Sequence, residues 1–156
     1  YARQTVKNAQ YLANKLIEYG FDVVSGGTDK HLILIDLRNK NINGWFLGWA
    51  LESAGIIANR NAVPLETSSP IYPSGLRLGV PAVTVRGMKE SQMDKIAEWI
   101  NDITDRLGEK SVPDEKEERK IYLEKFLSEI KQDTFLKKIN KEVKALCQKF
   151  QIPGLQ

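Results

Sequence analysis

The chain opens on a helical rhythm. Val6, Ala9, Leu12, Ala13, Leu16 and Ile17 recur at spacings of three and four, which places them on one face of an amphipathic helix. Gly20 follows as the residue suited to a left-handed turn past the helix end. Phe21 to Ser25 holds β-branched positions with weak alternation and predicts a strand. Gly26 to Asp29 predicts a turn, and His31 to Leu37 is an apolar run long enough for a buried central strand. A helix followed by such a hairpin predicts helix packed on antiparallel sheet.

Asn39 to Gly44 is a polar loop, and Asn43 predicts the N-cap of a short helix that runs to Ala54 and is closed by Gly55. Trp45, Phe46, Leu47, Trp49 and Leu51 make this helix apolar almost all round, so it must be buried, and its cover is expected to lie partly outside this chain. Ile56-Ile57-Ala58 predicts a short strand. Asn59 to Gly79 is mostly irregular, with Pro64, Pro70 and Pro73, and holds one strand-like stretch, Leu76-Arg77-Leu78. A loop of that length in a compact domain points to function. Pro81 to Gly87 leads into a strong helix from Lys89 to Leu107, with Met93, Ile96, Ala97, Ile100, Ile103 and Leu107 as its inner stripe and Trp99 beside it.

Past Gly108 the composition turns charged. Pro113 and Asp114 predict the start of a helix to Ile130, and a second helix runs from Thr134 to Phe150 with Phe135, Ile139, Val143, Leu146 and Phe150 on one face. The expected organisation is an α/β core over residues 1–107, followed over 108–156 by a charged linker and helices of the same domain.

Charge and composition mainly exclude. Residues 1–107 carry 12 basic and 11 acidic residues and residues 108–156 carry 11 and 9, so neither part offers the basic face that nucleic acid needs. One cysteine, Cys147, cannot form an intramolecular disulfide, and one histidine with one cysteine leaves no zinc cluster. No apolar stretch approaches the roughly 20 residues of a membrane span, and no secretory signal is visible. The chain starts at Tyr1 without a methionine, and the expectation is a cytoplasmic protein and a piece of a longer chain.

Few side chains signal chemistry by themselves. His31 has no paired acid in the sequence, which favours a structural histidine over a base. Cys147, late in a helix, reads as structural rather than reactive. The Lys/Glu mixture over 109–149 reads as a solvated helix face. Arg77 differs, because it sits in a short strand bracketed by Gly75 and Gly79. The glycines permit close approach of a ligand or another backbone, and a guanidinium pairs bidentately with carboxylate. An internal ion pair to Asp36 or Glu66 is the equally weighted alternative.

Longer motifs carry more. Ser25-Gly26-Gly27-Thr28-Asp29 with His31-Leu32 resembles the "SGGTDNHL" signature of serine hydroxymethyltransferases. Asn59-Arg60-Asn61-Ala62-Val63-Pro64 resembles that family's "NKNxxP", and Ser69 to Ala82 resembles "SPxxxSGIRLGTPA". Thr84 and Arg86-Gly87-Met88 continue it like "TTRGM", and Leu146-Cys147-Gln148-Lys149-Phe150 is similar to the "LCxxFP" close of many members. The chain departs from the pattern at Lys30, Arg60 and Val80, and its 45–51 helix is more aromatic than the family's.

The resemblance implies the C-terminal small domain of a fold-type-I pyridoxal-phosphate-dependent transferase: an α/β (α+β) domain with a small, largely antiparallel sheet covered by helices, plus a C-terminal helical extension. It implies reversible interconversion of serine and glycine, with a one-carbon unit passed to tetrahydrofolate or a related pterin. Pyridoxal 5'-phosphate would be held mainly by an upstream large domain, since the family's threonine-rich "TTTTHK" lysine segment has no counterpart here. No catalytic residue and no metal ligand is expected in this piece, which alone should be inactive. Arg77 matches the arginine that grips the substrate α-carboxylate, and Asn61 the asparagine of the pterin site. Asn59, Arg60 and Ser74 would line that entrance, and His31 is a further lining residue of structural character. The implied partners are glycine or serine, a pterin, the protein's own large domain and a second subunit, with homodimers expected; neither nucleic acid nor a membrane is. Two other readings stand beside this one: another fold-type-I enzyme acting on β-hydroxy amino acids, and an independent ligand-binding module.

Overall fold

The computed structural model describes residues 1–154. The first helix, α1 (Ala2–Glu18), buries Ala9, Leu12, Ala13 and Leu16 on the expected stripe. Ile17 falls at its edge and is 40% exposed, while Thr5 and Asn8 are buried in its place. Asn8 is a polar anchor that an apolar pattern cannot reveal. Its Nδ2 donates to Thr84 Oγ1 at 2.9 Å and to the Met88 carbonyl at 3.0 Å, tying α1 to the segment after the sheet.

A left-handed glycine ends α1. Gly20 (φ +78°) donates its N–H to Ile17 O and Phe21 to Leu16 O, the paired bonds that satisfy the last carbonyls of a helix. The chain then forms β1 (Asp22–Val23), much shorter than the expected Phe21–Ser25, because Ser25 and Gly26 take positive φ values in a 3-10 turn over Val24–Gly26 and turn the backbone away. β2 (Leu32–Asp36) follows, and a second 3-10 turn covers Arg38–Lys40.

α2 (Gly44–Ser53) starts where expected, with Asn43 Oδ1 accepting the Trp45 N–H at 2.8 Å. Its end corrects one expectation. Gly55 (φ +85°) donates to Glu52 O and Ile56 to Leu51 O, so Ile56 belongs to the helix cap and no strand forms over 56–58. The strand starts later, as β3 (Asn59–Asn61), and β4 (Gly75–Gly79) follows the loop 62–74. The sheet has the order β1-β2-β4-β3 with every neighbour antiparallel. α3 (Pro81–Val85) and α4 (Glu90–Leu107) return across the core, where α4 packs on α1.

Most of the cover of α2 lies within this chain, which corrects the expectation of a missing neighbour for Phe46, while Trp45 and Trp49 stay half-buried. α5 (Lys116–Gln132) and α6 (Thr134–Gln148) pack on it, and Phe46, Leu47, Ala50 and Leu51 are fully buried. Phe126 of α5 wedges between Phe46 (ring centroids 4.9 Å apart, near-perpendicular) and Trp45 (5.9 Å). Full burial of one such side chain stabilises by about 1.5–3 kcal/mol. The segment joining α4 to α5 is itself docked: Lys110 donates to Asn41 O and accepts from the Asn43 N–H. The cap of α5 is Glu115 rather than Asp114, its carboxylate accepting the Glu118 N–H. Asp133 separates α5 from α6 and caps the latter by accepting from Phe135 and Leu136. α6 stops at Gln148, short of the expected Phe150, and Arg86 closes it by donating to the carbonyls of Cys147 (2.6 Å) and Phe150 (2.7 and 3.1 Å). Two stretches quoted above for their family likeness, Arg86-Gly87-Met88 and Leu146 to Phe150, thereby meet in space.

Candidate functional site

The alternation along the strands divides the sheet into two faces. Val23, Ile33, Ile35, Leu76 and Leu78 point into the core. The opposite face carries Leu32, Leu34, Arg77, Asn59 and Asn61, with Arg77 and Asn59 exposed and the others half-buried. Arg77 sits opposite Leu34 on one side and Asn59 on the other. Its neighbours along β4 on the same face are Gly75 and Gly79, so the guanidinium rises from a strand with no flanking side chains.

Among the described residues the Arg77 side chain makes no ion pair or hydrogen bond, and the reason lies in its neighbours. Asp36 shares its face but is taken by Arg38, whose Nε donates to both carboxylate oxygens at 3.0 Å. Glu66 accepts from the N–H groups of Ser74 (2.9 Å), Ser68 (2.9 Å) and Val63 (3.3 Å) and from the Ser74 hydroxyl (2.7 Å). Burial pushes the Glu66 carboxyl up, but these donors outweigh it and hold the group down at about 2. Neither carboxylate is therefore available to Arg77, and the internal ion pair weighed above is not formed.

Asn61 lies opposite Gly75, diagonal to Arg77, a separation of roughly 7–8 Å across such a ladder. Its Nδ2 donates to the Ala62 carbonyl at 2.8 Å. Gly75 is close-packed: an added Cβ would strike the Val63 side chain and lie 2.7 Å from Ile35 O and 2.8 Å from Asn61 O. Arg77, Asn59 and Asn61 are thus brought together. Arg60 is not, because strand alternation sends it to the helix side, where its guanidinium carbon stands 4.7 Å over the Trp49 ring. Ser74 is buried and committed to Glu66, and also contacts Ser68 Oγ at 3.1 Å. His31 precedes β2 with an exposed side chain, and its carbonyl accepts the Val80 N–H at 3.1 Å.

Sequence reasoning missed Arg38 and the anchoring role of Glu66. A lone acid amid Ser and Thr in a long proline-rich loop was the available signal, since such a carboxylate readily collects backbone N–H groups. The clefts elsewhere, one of about 530 Å³ lined by Arg38, Ser68, Tyr72 and Arg119 and one of about 600 Å³ along Ser25–Asp29, do not include Arg77. The arginine stands on an open face, and a ligand held there needs a second surface above the sheet. No group of three or more metal-ligating side chains occurs among the described residues, and no helix is long and apolar enough to cross a membrane.

A family model described as serine hydroxymethyltransferase matches residues 1–100. The chain belongs to the serine hydroxymethyltransferase family. The serine hydroxymethyltransferase of Halorhodospira halophila (strain DSM 244 / SL1) is 48% identical over 112 residues, 72% of this chain. The match spans 27% of that relative's length. The family match includes all four strands and every candidate residue named above, and ends within α4, before α5 and α6.

Proposed function

We propose that this chain is the C-terminal small domain of a complete serine hydroxymethyltransferase, a cytoplasmic homo-oligomer that interconverts serine and glycine with a tetrahydropterin as one-carbon acceptor. The observation that carries the reading is the uncommitted Arg77 guanidinium, flanked on its own face by glycines. In this role Arg77 holds the α-carboxylate of serine or glycine, and its planar fork fixes both the position and the rotation of that carboxylate. Asn61, at the same edge, offers its amide to the polar ring of the pterin, and Asn59 lines the way in.

Pyridoxal phosphate supplies the electron sink for cleavage at the amino-acid Cα when it is bound. The residues here do not fit a holder of that group, because the open face presents no lysine. The cofactor belongs to the rest of the protein, which would also close over the sheet, and residues 1–156 alone should be inactive.

The test is Arg77→Lys in the complete protein. Lysine keeps the charge but loses the fork. Weakened capture of a desolvated carboxylate costs about 2–5 kcal/mol, which is a loss of glycine affinity of roughly 30- to 4,000-fold. Thermal stability should hold, since the Arg77 guanidinium bonds to no other residue and lysine leaves the backbone ladder intact. Unchanged glycine affinity with a lowered melting temperature would make Arg77 a scaffold residue and refute the assignment.

A further inference from the structure

The loop 62–74 leaves β3 after Asn61 and returns to β4 at Gly75, and these two residues face each other across the sheet. So long a connection without secondary structure has many conformations open to it. Two side chains restrict it. The Glu66 carboxylate accepts from Val63, just after Asn61, and from Ser74, just before Gly75, so one group ties both ends of the loop together. Ser68 adds a third point in between.

Arg38 supplies the second tie. While its Nε holds Asp36 at the end of β2, its terminal nitrogens donate to the carbonyls of Leu65 (3.0 Å) and Pro64 (3.1 Å). The loop is thereby fastened to β2, the strand that pairs with Arg77. Leu65 shows that this fastening works against local preference. It takes φ +54°, a left-handed conformation that a residue with a Cβ disfavours, and leaves its side chain 90% exposed.

We propose that Glu66 and Arg38 are positioning residues that set where Asn61 stands relative to Arg77, and through it the affinity for the pterin. The inference rests on the functional reading above, in which Asn61 meets the pterin and Arg77 the amino acid. β4 is paired on both sides and keeps Arg77 in place without the loop, whereas Asn61, at the end of the edge strand β3, depends on it. Loosening the loop should therefore affect one ligand and spare the other.

The experiment uses the complete protein with Glu66→Ala and Glu66→Gln, reading equilibrium binding of tetrahydrofolate by calorimetry, KM for serine, and thermal stability. Displacing a positioned group by about an ångström can cost up to about 100-fold. Glu66→Ala should weaken tetrahydrofolate roughly 10- to 100-fold while serine KM moves by less than about threefold. Glu66→Gln keeps one acceptor oxygen and should fall in between; it carries the test if the alanine variant does not fold. Arg38→Lys, which keeps the charge and loses the fork, should shift in the same direction. Tetrahydrofolate and serine constants moving together, or neither moving while stability drops, would overturn the proposal. A wild-type protein that takes up no tetrahydrofolate would overturn the functional reading itself, and the positioning role with it.

Discussion

Phe126→Ala asks whether α5 and α6 are part of the fold or an attachment to it. Phe126 is 3% exposed and its ring meets two aromatic rings of α2, edge-on to Phe46 at 4.9 Å and tilted to Trp45 at 5.9 Å. Truncating a buried phenylalanine costs about 3–5 kcal/mol through lost transfer energy and the cavity left behind. Loss of favourable ring geometry contributes about 0.5–1.5 kcal/mol per pair. A cost of at least about 3 kcal/mol is a large share of the roughly 5–15 kcal/mol that keeps a domain folded. For a chain of this size it corresponds to a fall in melting temperature of about 6–12 °C. Urea unfolding and differential scanning calorimetry of the chain measure both. The control is Ile121→Ala on the same helix, at 66% exposure, where a change within about 0.5 kcal/mol is expected. A hydrophobic dye should stay dark on the intact chain and light up with the variant. A loss under about 1 kcal/mol, or a calorimetric trace in which α5 and α6 melt as a separate early transition, would refute the claim that these helices complete the core.

Gly75→Ala and Gly79→Ala flank Arg77 alike in sequence but should behave differently. At Gly75 the new methyl collides with Val63 and two carbonyl oxygens, an overpacking cost of about 1–3 kcal/mol, whereas at Gly79 it meets Pro81 Cδ at an ordinary 3.7 Å; equal effects in urea unfolding would contradict this packing. Glu66 sits near 4.5 when unconstrained and at about 2 in the fold, so it binds its proton more readily unfolded, and its stabilising contribution is full above about pH 4.5 and drains away as pH falls toward 2. The stability gap between wild type and Glu66→Gln should therefore narrow between pH 5 and pH 2.5, and a gap that stays constant would mean that the carboxylate charge is not what the loop donors recognise.

The elements most legible in the sequence are those whose own periodicity decides their fate. α1, α4 and α6 follow from apolar spacing, and the end of α1 follows from Gly20. The errors have identifiable causes. Ile56-Ile57-Ala58 has the composition of a strand, yet Ile56 is consumed by the hydrogen bonds that finish α2. Asn59-Arg60-Asn61 has the composition of a loop, yet it is a strand because β4 supplies a paired edge. The aromatic character of α2 shows that it needs cover but not which segment provides it. That information sits in Phe126, far along the chain, and in a contact that only the folded arrangement displays.

The candidate site was legible to the extent that local sequence controls it. Glycines on both sides of Arg77 leave its face of β4 without flanking side chains, although only Gly75 is closely approached, by Val63 and two carbonyl oxygens. Whether Arg77 is free depends on competition, and competition is a tertiary property. Asp36, on the same face, is held by Arg38, and Glu66 is held by the N–H groups of its own loop. Strand alternation then decides the rest. Because side chains alternate strictly, Arg60 and Asn61 part to opposite faces although they are adjacent in one short motif, one stacking on Trp49 and the other joining Arg77. A motif read as a unit therefore divides into a half that packs on α2 and a half that joins the candidate site. The same alternation gives β4 its two roles: Leu76 and Leu78 hold the strand to the core, and that burial fixes the register that keeps Arg77 outward. A one-residue slip would bury the guanidinium among apolar side chains and expose both leucines, so the stability of the core is also what enforces the orientation of the site.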